Sequence, residues 1–160
     1  MKPNIVAIIE ARMSSKRLYG KVLKKINNKE VLKIIIQRLC FSKLINKIVV
    51  ATSTDKADDK IISFLKKNNF FFYRGSLNNL LQRVLRTGEK HKADIIVRIT
   101  ADNPLTDPKI VDYMLKHFLR NKKIDYLTNN NFGISRKIAL GLDVNVFTLK
   151  SLKKINKLTK

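Results

Sequence analysis

Residues 11–21 read Ala-Arg-Met-Ser-Ser-Lys-Arg-Leu-Tyr-Gly-Lys and follow directly on an apolar run that stops at Glu10. Arg12, Lys16, Arg17 and Lys21 bring four cations to a stretch with two adjacent serines and a glycine. Small residues let backbone N–H groups approach a polyanion, and flanking cations neutralise its charge. Gly20 can take up a left-handed turn that other residues resist. The spacing is neither Gly-x-x-x-x-Gly-Lys-Ser/Thr nor Gly-x-Gly-x-x-Gly. From the residues alone two readings stand side by side. One is a triphosphate cradle formed by the loop's small residues and flanking cations; the other is an ordinary basic surface loop.

Other stretches have chemistry to offer. In "ITADNPL", Asp102 lies just past an apolar strand-like run, where a carboxylate can reach a hard cation. Mg²⁺ favours one or two carboxylates together with phosphate oxygens and water. An Asx turn leading into Asn103-Pro104 is the alternative. In "ATSTD", Thr52 and Ser53 can contact ribose or base, or serve as plain loop residues with Asp55 or Asp58 capping a helix. Arg74 can reach a base or a triphosphate, or simply end a strand. His91 and His117 are assigned no role, and the lone Cys40 reads as a small apolar residue late in a helix.

These residues need elements to hold them. Apolar runs at 5–9, 47–51, 70–73 and 95–99 read as buried strands. Between them, Leu32, Ile35, Ile36 and Leu39 share one helical face. Leu77, Leu80, Leu81, Val84 and Leu85 share another, with Ser76 as N-cap. Ile110, Val111, Met114, Leu115 and Phe118 follow Asp107-Pro108, an N-cap and N1 pair. "GLDVNVF" alternates as a strand does, 149–158 reads as a helix, and the polar stretch 128–137 reads as an exposed loop or arm. Strands alternating with helices predict an α/β fold with a mostly parallel sheet and helices on both faces. Ligands of such sheets bind at the carboxyl ends of the strands. That puts the opening loop, "ATSTD" and "ITADNP" on one rim.

The bulk properties narrow the function. A chain of 160 residues suits a single domain spanning 1–160. No apolar run approaches the ~18 residues that a membrane span needs, and no signal peptide is read at the N-terminus. One cysteine excludes an intramolecular disulfide and fits a cytoplasmic protein. The net charge of +22 raises nucleic-acid binding. Lysine is spread from end to end, however, and no tract reaches five or six like charges, so solvated lysines are preferred. The charge still draws in any polyanionic ligand.

"ARMSSKRLYGKVL" resembles the Ala-Arg-Met-x-Ser-x-Arg-Leu-Pro-Gly-Lys-x-Leu signature of bacterial sugar cytidylyltransferases. The resemblance is to the spore-coat polysaccharide type, related to the acylneuraminate and KDO cytidylyltransferases. It continues in order through "KIVVATSTDKADDKII", "YRGSLNNLLQRV", "IVRITADNPLTDP" and "GLDVNVF".

The resemblance implies a nucleotide-sugar-transferase-like, Rossmann-like fold. It implies Mg²⁺-dependent joining of CTP to a sugar acid or related sugar for surface polysaccharide synthesis, with release of pyrophosphate. Arg12, Arg17 and Lys21 then hold the triphosphate, with Arg12, Lys21 and Asp102 catalytic and Asp102 on the metal. Ser14, Ser15, Thr52, Ser53 and Arg74 are expected on the nucleotide. Asp143 is expected on substrate or metal, or else as a strand-end turn residue. Relatives dimerise through an arm over 129–140.

The chain departs from the pattern at Tyr19, where the signature has proline, and at Asn145, where it has glutamate. Relatives also continue to a Val-Asp-Thr-x-Glu-Asp-like segment whose aspartate partners the Asp102 position. Its absence reads as C-terminal shortening and raises a second function, a non-catalytic nucleotide-binding relative.

Overall fold

Runs rich in isoleucine and valine form the parallel part of one six-stranded sheet. The computed structural model describes residues 2–15, 17–130 and 138–159. Strand β1 is Ile5–Glu10, and a short hairpin follows as β2 (Lys25–Ile26) and β3 (Lys29–Glu30). Then come α1 (Val31–Leu39), β4 (Lys47–Ser53), α2 (Asp59–Lys67), β5 (Phe72–Gly75), α3 (Leu80–Lys90) and β6 (Ile95–Thr100). The rest is α4 (Pro108–Arg120), β7 (Tyr126–Thr128), β8 (Asn145–Thr148) and α5 (Leu149–Leu158). No helix among the described residues is long and apolar enough to cross a membrane.

The strand order is β5-β4-β1-β6-β8-β7. β1 lies parallel to both β4 and β6, and β4 lies parallel to β5. β8 runs antiparallel to β6 and to β7. β1 is buried on both faces, which explains its unbroken apolar sequence. Ile5, Ala7 and Ile9 join the core beneath α1, α2 and α4, while Val6 and Ile8 join the one beneath α3 and α5. Parallel crossovers are right-handed. The chain steps outward from β1 to β4 to β5 and then returns past them to β6. The reversal therefore carries α3 to the opposite face from α1 and α2. It also creates a topological switch point between β1 and β6, where open α/β sheets bind ligands.

Most expected elements are found, some of them shifted. The strand expected at 70–73 is β5, two residues later. Asp107 caps α4 by accepting from Lys109 N at 2.7 Å, and α5 occupies the expected span. The cap of α3 is Asn79, whose side chain accepts from Gln82 N at 2.8 Å. Ser76 instead accepts from Asn79 N at 3.0 Å, in a turn that leaves Leu77 outside the helix. Cys40 is the exposed C-cap residue of α1, not part of its apolar face. The sequence reading touches α2 only through Asp55 or Asp58 as a helix cap, and it does not mark β7 or the β2–β3 hairpin. The hairpin turns on Asn27 and Asn28, both at positive φ (47° and 62°), as a two-residue type I′ turn requires. Of the stretch 128–137, residues 131–137 lie outside the described residues.

Candidate active site

The segment after β1 is stitched down at alternate residues. Ala11 N donates to Ala51 O at 3.1 Å, and Met13 N donates to Asp58 Oδ1 at 2.7 Å. Ala11 and Met13 are buried, which turns Arg12 and Ser14 outward. Gly20 N closes the loop onto Met13 O at 2.9 Å. Gly20 has φ +67°, a left-handed conformation that leads into the short 3₁₀ turn Lys21–Leu23.

This loop forms one wall of a cleft of about 500 Å³ at the carboxyl ends of β1 and β6. Arg12, Ser14, Ser15, Arg17 and Lys21 line it from the loop, and Thr100, Ala101 and Asp102 line it from the end of β6. The opposite wall is Leu77, Asn78, Leu80 and Arg83. Lys21 Nζ donates to Asp102 Oδ2 in an ion pair across the cleft. Partial burial raises the pKa of Asp102, but hydrogen bonds from Lys21 and Thr100 outweigh it and hold the carboxyl below its ordinary value. The other carboxylate in the cleft, Glu10, is taken by Arg98 through a two-pronged contact at 2.5 and 2.8 Å. That bond raises the pKa of Arg98 against the lowering effect of its burial.

A second cavity, of about 560 Å³, shares Glu10 with the cleft and runs between α3 and α5. Leu81, Val84, Tyr126, Phe147, Leu152 and Ile155 make its walls hydrocarbon. Of its donors, Arg98 is taken by Glu10 and Ser151 by Asp125, so phosphates would lose their hydration there for little in return. The polar cleft is therefore the site for an anionic ligand.

The structure gathers Arg12, Ser14, Ser15, Arg17, Lys21 and Asp102 in one cleft. Thr52, Ser53 and Arg74 are not brought there. Thr52 and Ser53 are wholly buried and bind Asp58: Thr52 Oγ1 donates at 3.1 Å, Ser53 N at 3.1 Å and Ser53 Oγ at 2.5 Å. They hold the carboxyl that holds Met13, so they support the loop from behind. Arg74 donates to Ser53 O at 2.9 Å and Asp55 O at 3.1 Å, and pairs with Asp59 at 2.8 Å. Asp143 is half-buried and does not line the cleft. Asp55 caps the turn Lys56–Asp58 by accepting from Ala57 N at 2.8 Å.

Sequence reasoning weighed Asp58 only as a helix cap, a position it holds before α2 without a side-chain cap bond, and gave Glu10 and Arg83 no role. Arg83 carries the clearest signal for recovery. It sits three residues after Leu80 and beside Val84, where a charge interrupts the apolar stripe of the helix.

Residues 6–158 match the family model described as cytidylyltransferase. The chain belongs to the cytidylyltransferase family. It is 38% identical over 152 residues to an uncharacterised protein of Methanocaldococcus jannaschii, covering 94% of this chain and 59% of that one. It is 35% identical over 140 residues to the spore coat polysaccharide biosynthesis protein SpsF of Bacillus subtilis, covering 84% and 58%. The solved structure of a cytidylyltransferase from Leptospira borgpetersenii superimposes with a TM-score of 0.86 at 39% identity, over 99% of this chain and 65% of that one. The chain thus spans about three-fifths of the length of these curated relatives. The mostly parallel α/β sheet expected from the strand-helix alternation, and the nucleotide-sugar-transferase-like fold that the resemblance implies, are the fold shared with this cytidylyltransferase.

Proposed function

We propose that this cytidylyltransferase-family chain binds CTP in the polar cleft and transfers its cytidylyl group to a sugar acid or related sugar. The product would serve surface polysaccharide synthesis, a reading supported by the likeness to SpsF. The observation that carries it is the cleft itself: Arg12, Arg17 and Lys21 around one ion-paired carboxylate, Asp102, at the sheet's switch point. Fixed cations are what a triphosphate requires, and a carboxylate there suits a hard metal ion.

In this mechanism an acceptor oxygen attacks the α-phosphorus in line, and the bond to the bridging oxygen of the β-phosphate breaks. Pyrophosphate leaves with the electron pair, and the acceptor's proton passes to solvent. Arg12, Arg17 and Lys21 hold the β- and γ-phosphates and neutralise the charge that builds on the leaving group. The loop's N–H groups and the Ser14 and Ser15 hydroxyls orient the phosphate tail. Leu77 and Leu80 offer an apolar surface for the base. The donor set fits Mg²⁺ as one carboxylate plus ligand oxygens: Arg98 holds both oxygens of Glu10, whose side chain is 9% exposed, whereas the Asp102 side chain is 35% exposed and bonds Lys21 through Oδ2. When bound there, Mg²⁺ would supply charge neutralisation at the phosphates. We read the chain as a cytoplasmic enzyme, with a homodimer as the assembly that the resemblance implies.

The test is a titration of the chain with CTP, UTP, ATP and GTP, with and without Mg²⁺, followed by a pyrophosphate-release assay over a panel of sugar acids. CTP-dependent release with one acceptor supports the reading, and no CTP binding overturns it. A non-catalytic nucleotide-binding protein is a second reading. It is favoured by the two departures from the signature, Tyr19 in place of its proline and Asn145 in place of its glutamate. It predicts CTP binding without release.

A further inference from the structure

Arg83 is buried, with 3% of its surface exposed, yet it borders the cleft. Its position is fixed from three sides. Its backbone N–H donates to Asn79 O at 3.1 Å, and its carbonyl accepts from Thr87 Oγ1 at 2.7 Å. Its stem lies against Gly75, where an added Cβ would come within 3.1 Å of both Arg83 Cγ and Tyr73 Cε1. Its Nη1 donates to Ser76 O and, at 3.3 Å, to Leu77 O. Nε is buried without a hydrogen-bond partner. Burial lowers the guanidinium's pKa, with Arg12 adding to that and Glu10 and Asp58 opposing it. An arginine kept so deep on an otherwise apolar helix face needs a reason, because an apolar residue would avoid the desolvation.

The two carbonyls supply one. A trans peptide points its C=O and the next N–H in opposite directions. With the carbonyls of Ser76 and Leu77 drawn onto Arg83, the N–H groups of Leu77 and Asn78 point away from it. Neither has a partner among the described residues, and both residues line the cleft. Two neighbouring donors match the adjacent acceptors O2 and N3 of cytosine. Uracil places a donor, N3–H, against one of them.

We infer that Arg83 is a positioning residue that holds the Leu77 and Asn78 N–H groups toward the nucleobase, and thereby makes the site prefer cytosine over uracil. This rests on the reading of the cleft as a nucleotide site. It assigns the guanidinium no contact with the ligand. Discrimination comes from the main chain, because the cost of facing a donor with a donor falls on uracil alone.

The test is a calorimetric titration of the full chain with CTP and UTP, on the parent and on Arg83→Met, Arg83→Lys, Gly75→Ala and Lys21→Ala. The parent should prefer CTP by about tenfold or more, the scale of one mismatched hydrogen bond. Arg83→Met should bring the two affinities close together, and Arg83→Lys should retain part of the preference. Lys21→Ala should weaken both nucleotides and keep their ratio. Should Arg83→Met fail to fold, Gly75→Ala displaces the same stem and should show the same loss of preference. An unchanged CTP-to-UTP ratio in the folded variants, even with weaker overall binding, overturns this inference alone. A parent that binds no nucleotide overturns the nucleotide reading and this inference with it.

Discussion

Lys21 and Asp102 are 81 residues apart in sequence and form an ion pair across the cleft. One comes from the loop after β1 and the other from the turn after β6, the two strands that flank the switch point. The pair neutralises a carboxylate in a cleft otherwise rich in cations. A triphosphate with its metal ion would compete for both partners at once, Lys21 turning to phosphate and Asp102 to the cation.

That relationship separates the two residues' roles in kinetics. Asp102→Asn keeps the size of the side chain and removes its charge, so turnover should fall by about a hundredfold or more while CTP still binds. Lys21→Ala should chiefly raise the CTP KM, by about tenfold to a hundredfold for one charge-assisted contact. Steady-state pyrophosphate release and CTP titration of each variant check the split. Equal turnover in Asp102→Asn and the parent would remove Asp102 from the metal.

The same pair sets a pH dependence. Hydrogen bonds from Lys21 and Thr100 hold the Asp102 carboxyl below its ordinary value of 3.8, against the opposing effect of burial. A depressed folded-state pKa contributes stability above the unfolded value, and that stability is lost as pH falls through the folded value. The parent's advantage over Asp102→Asn should therefore be constant near neutrality and shrink only below about pH 4. Urea unfolding of both proteins between pH 3 and pH 7 measures it. A constant difference down to the lowest pH would mean that the pair contributes nothing as an ion pair.

Much of this site was legible because its residues follow strands directly. The runs at 5–9 and 95–99 are unambiguous, and a carboxyl-end rim follows from their being parallel. Arg12, Lys21 and Asp102 could thus be brought together from sequence. Thr52 and Ser53 follow a strand equally well, but small hydroxyls serve a buried acceptor as readily as a ligand. Only the position of Asp58, at the start of α2, shows which acceptor they serve. Arg74 illustrates the same limit: its partners Ser53, Asp55 and Asp59 come from a different turn, brought near by β4–β5 pairing. Local pattern identifies elements, whereas side-chain partners depend on which turns the topology makes neighbours.

Asp58 itself should be a stability hot spot behind the loop. It is 1% exposed and accepts from Met13 N, Thr52 Oγ1, Ser53 N and Ser53 Oγ. Asp58→Ala strands several buried donors at once and should cost about 3 kcal/mol or more. Asp58→Asn keeps one acceptor oxygen and should cost less. Denaturant midpoints at unchanged slope would establish the ranking. Because Met13 anchors the loop that carries Arg12 and Ser14, Asp58→Asn should also weaken CTP binding without touching the ligand.

Gly20 offers a test of whether the loop's shape, and not only its charge, matters. Its φ of +67° is unfavourable for a residue with a side chain, and an added Cβ would sit 2.9 Å from Met13 Cε. The methionine terminus is flexible and can move aside, so the backbone conformation is the main obstacle. Gly20→Ala should lose about 1 kcal/mol of stability and loosen the bond from Gly20 N to Met13 O. Asparagine tolerates the left-handed region better, so Gly20→Asn should be milder on both counts. Thermal unfolding measures the first effect and CTP titration the second. If asparagine proves worse than alanine, the crowding at Met13 is the dominant constraint. If alanine leaves both stability and CTP affinity unchanged, the loop adapts freely, and its cations alone would have to account for nucleotide binding.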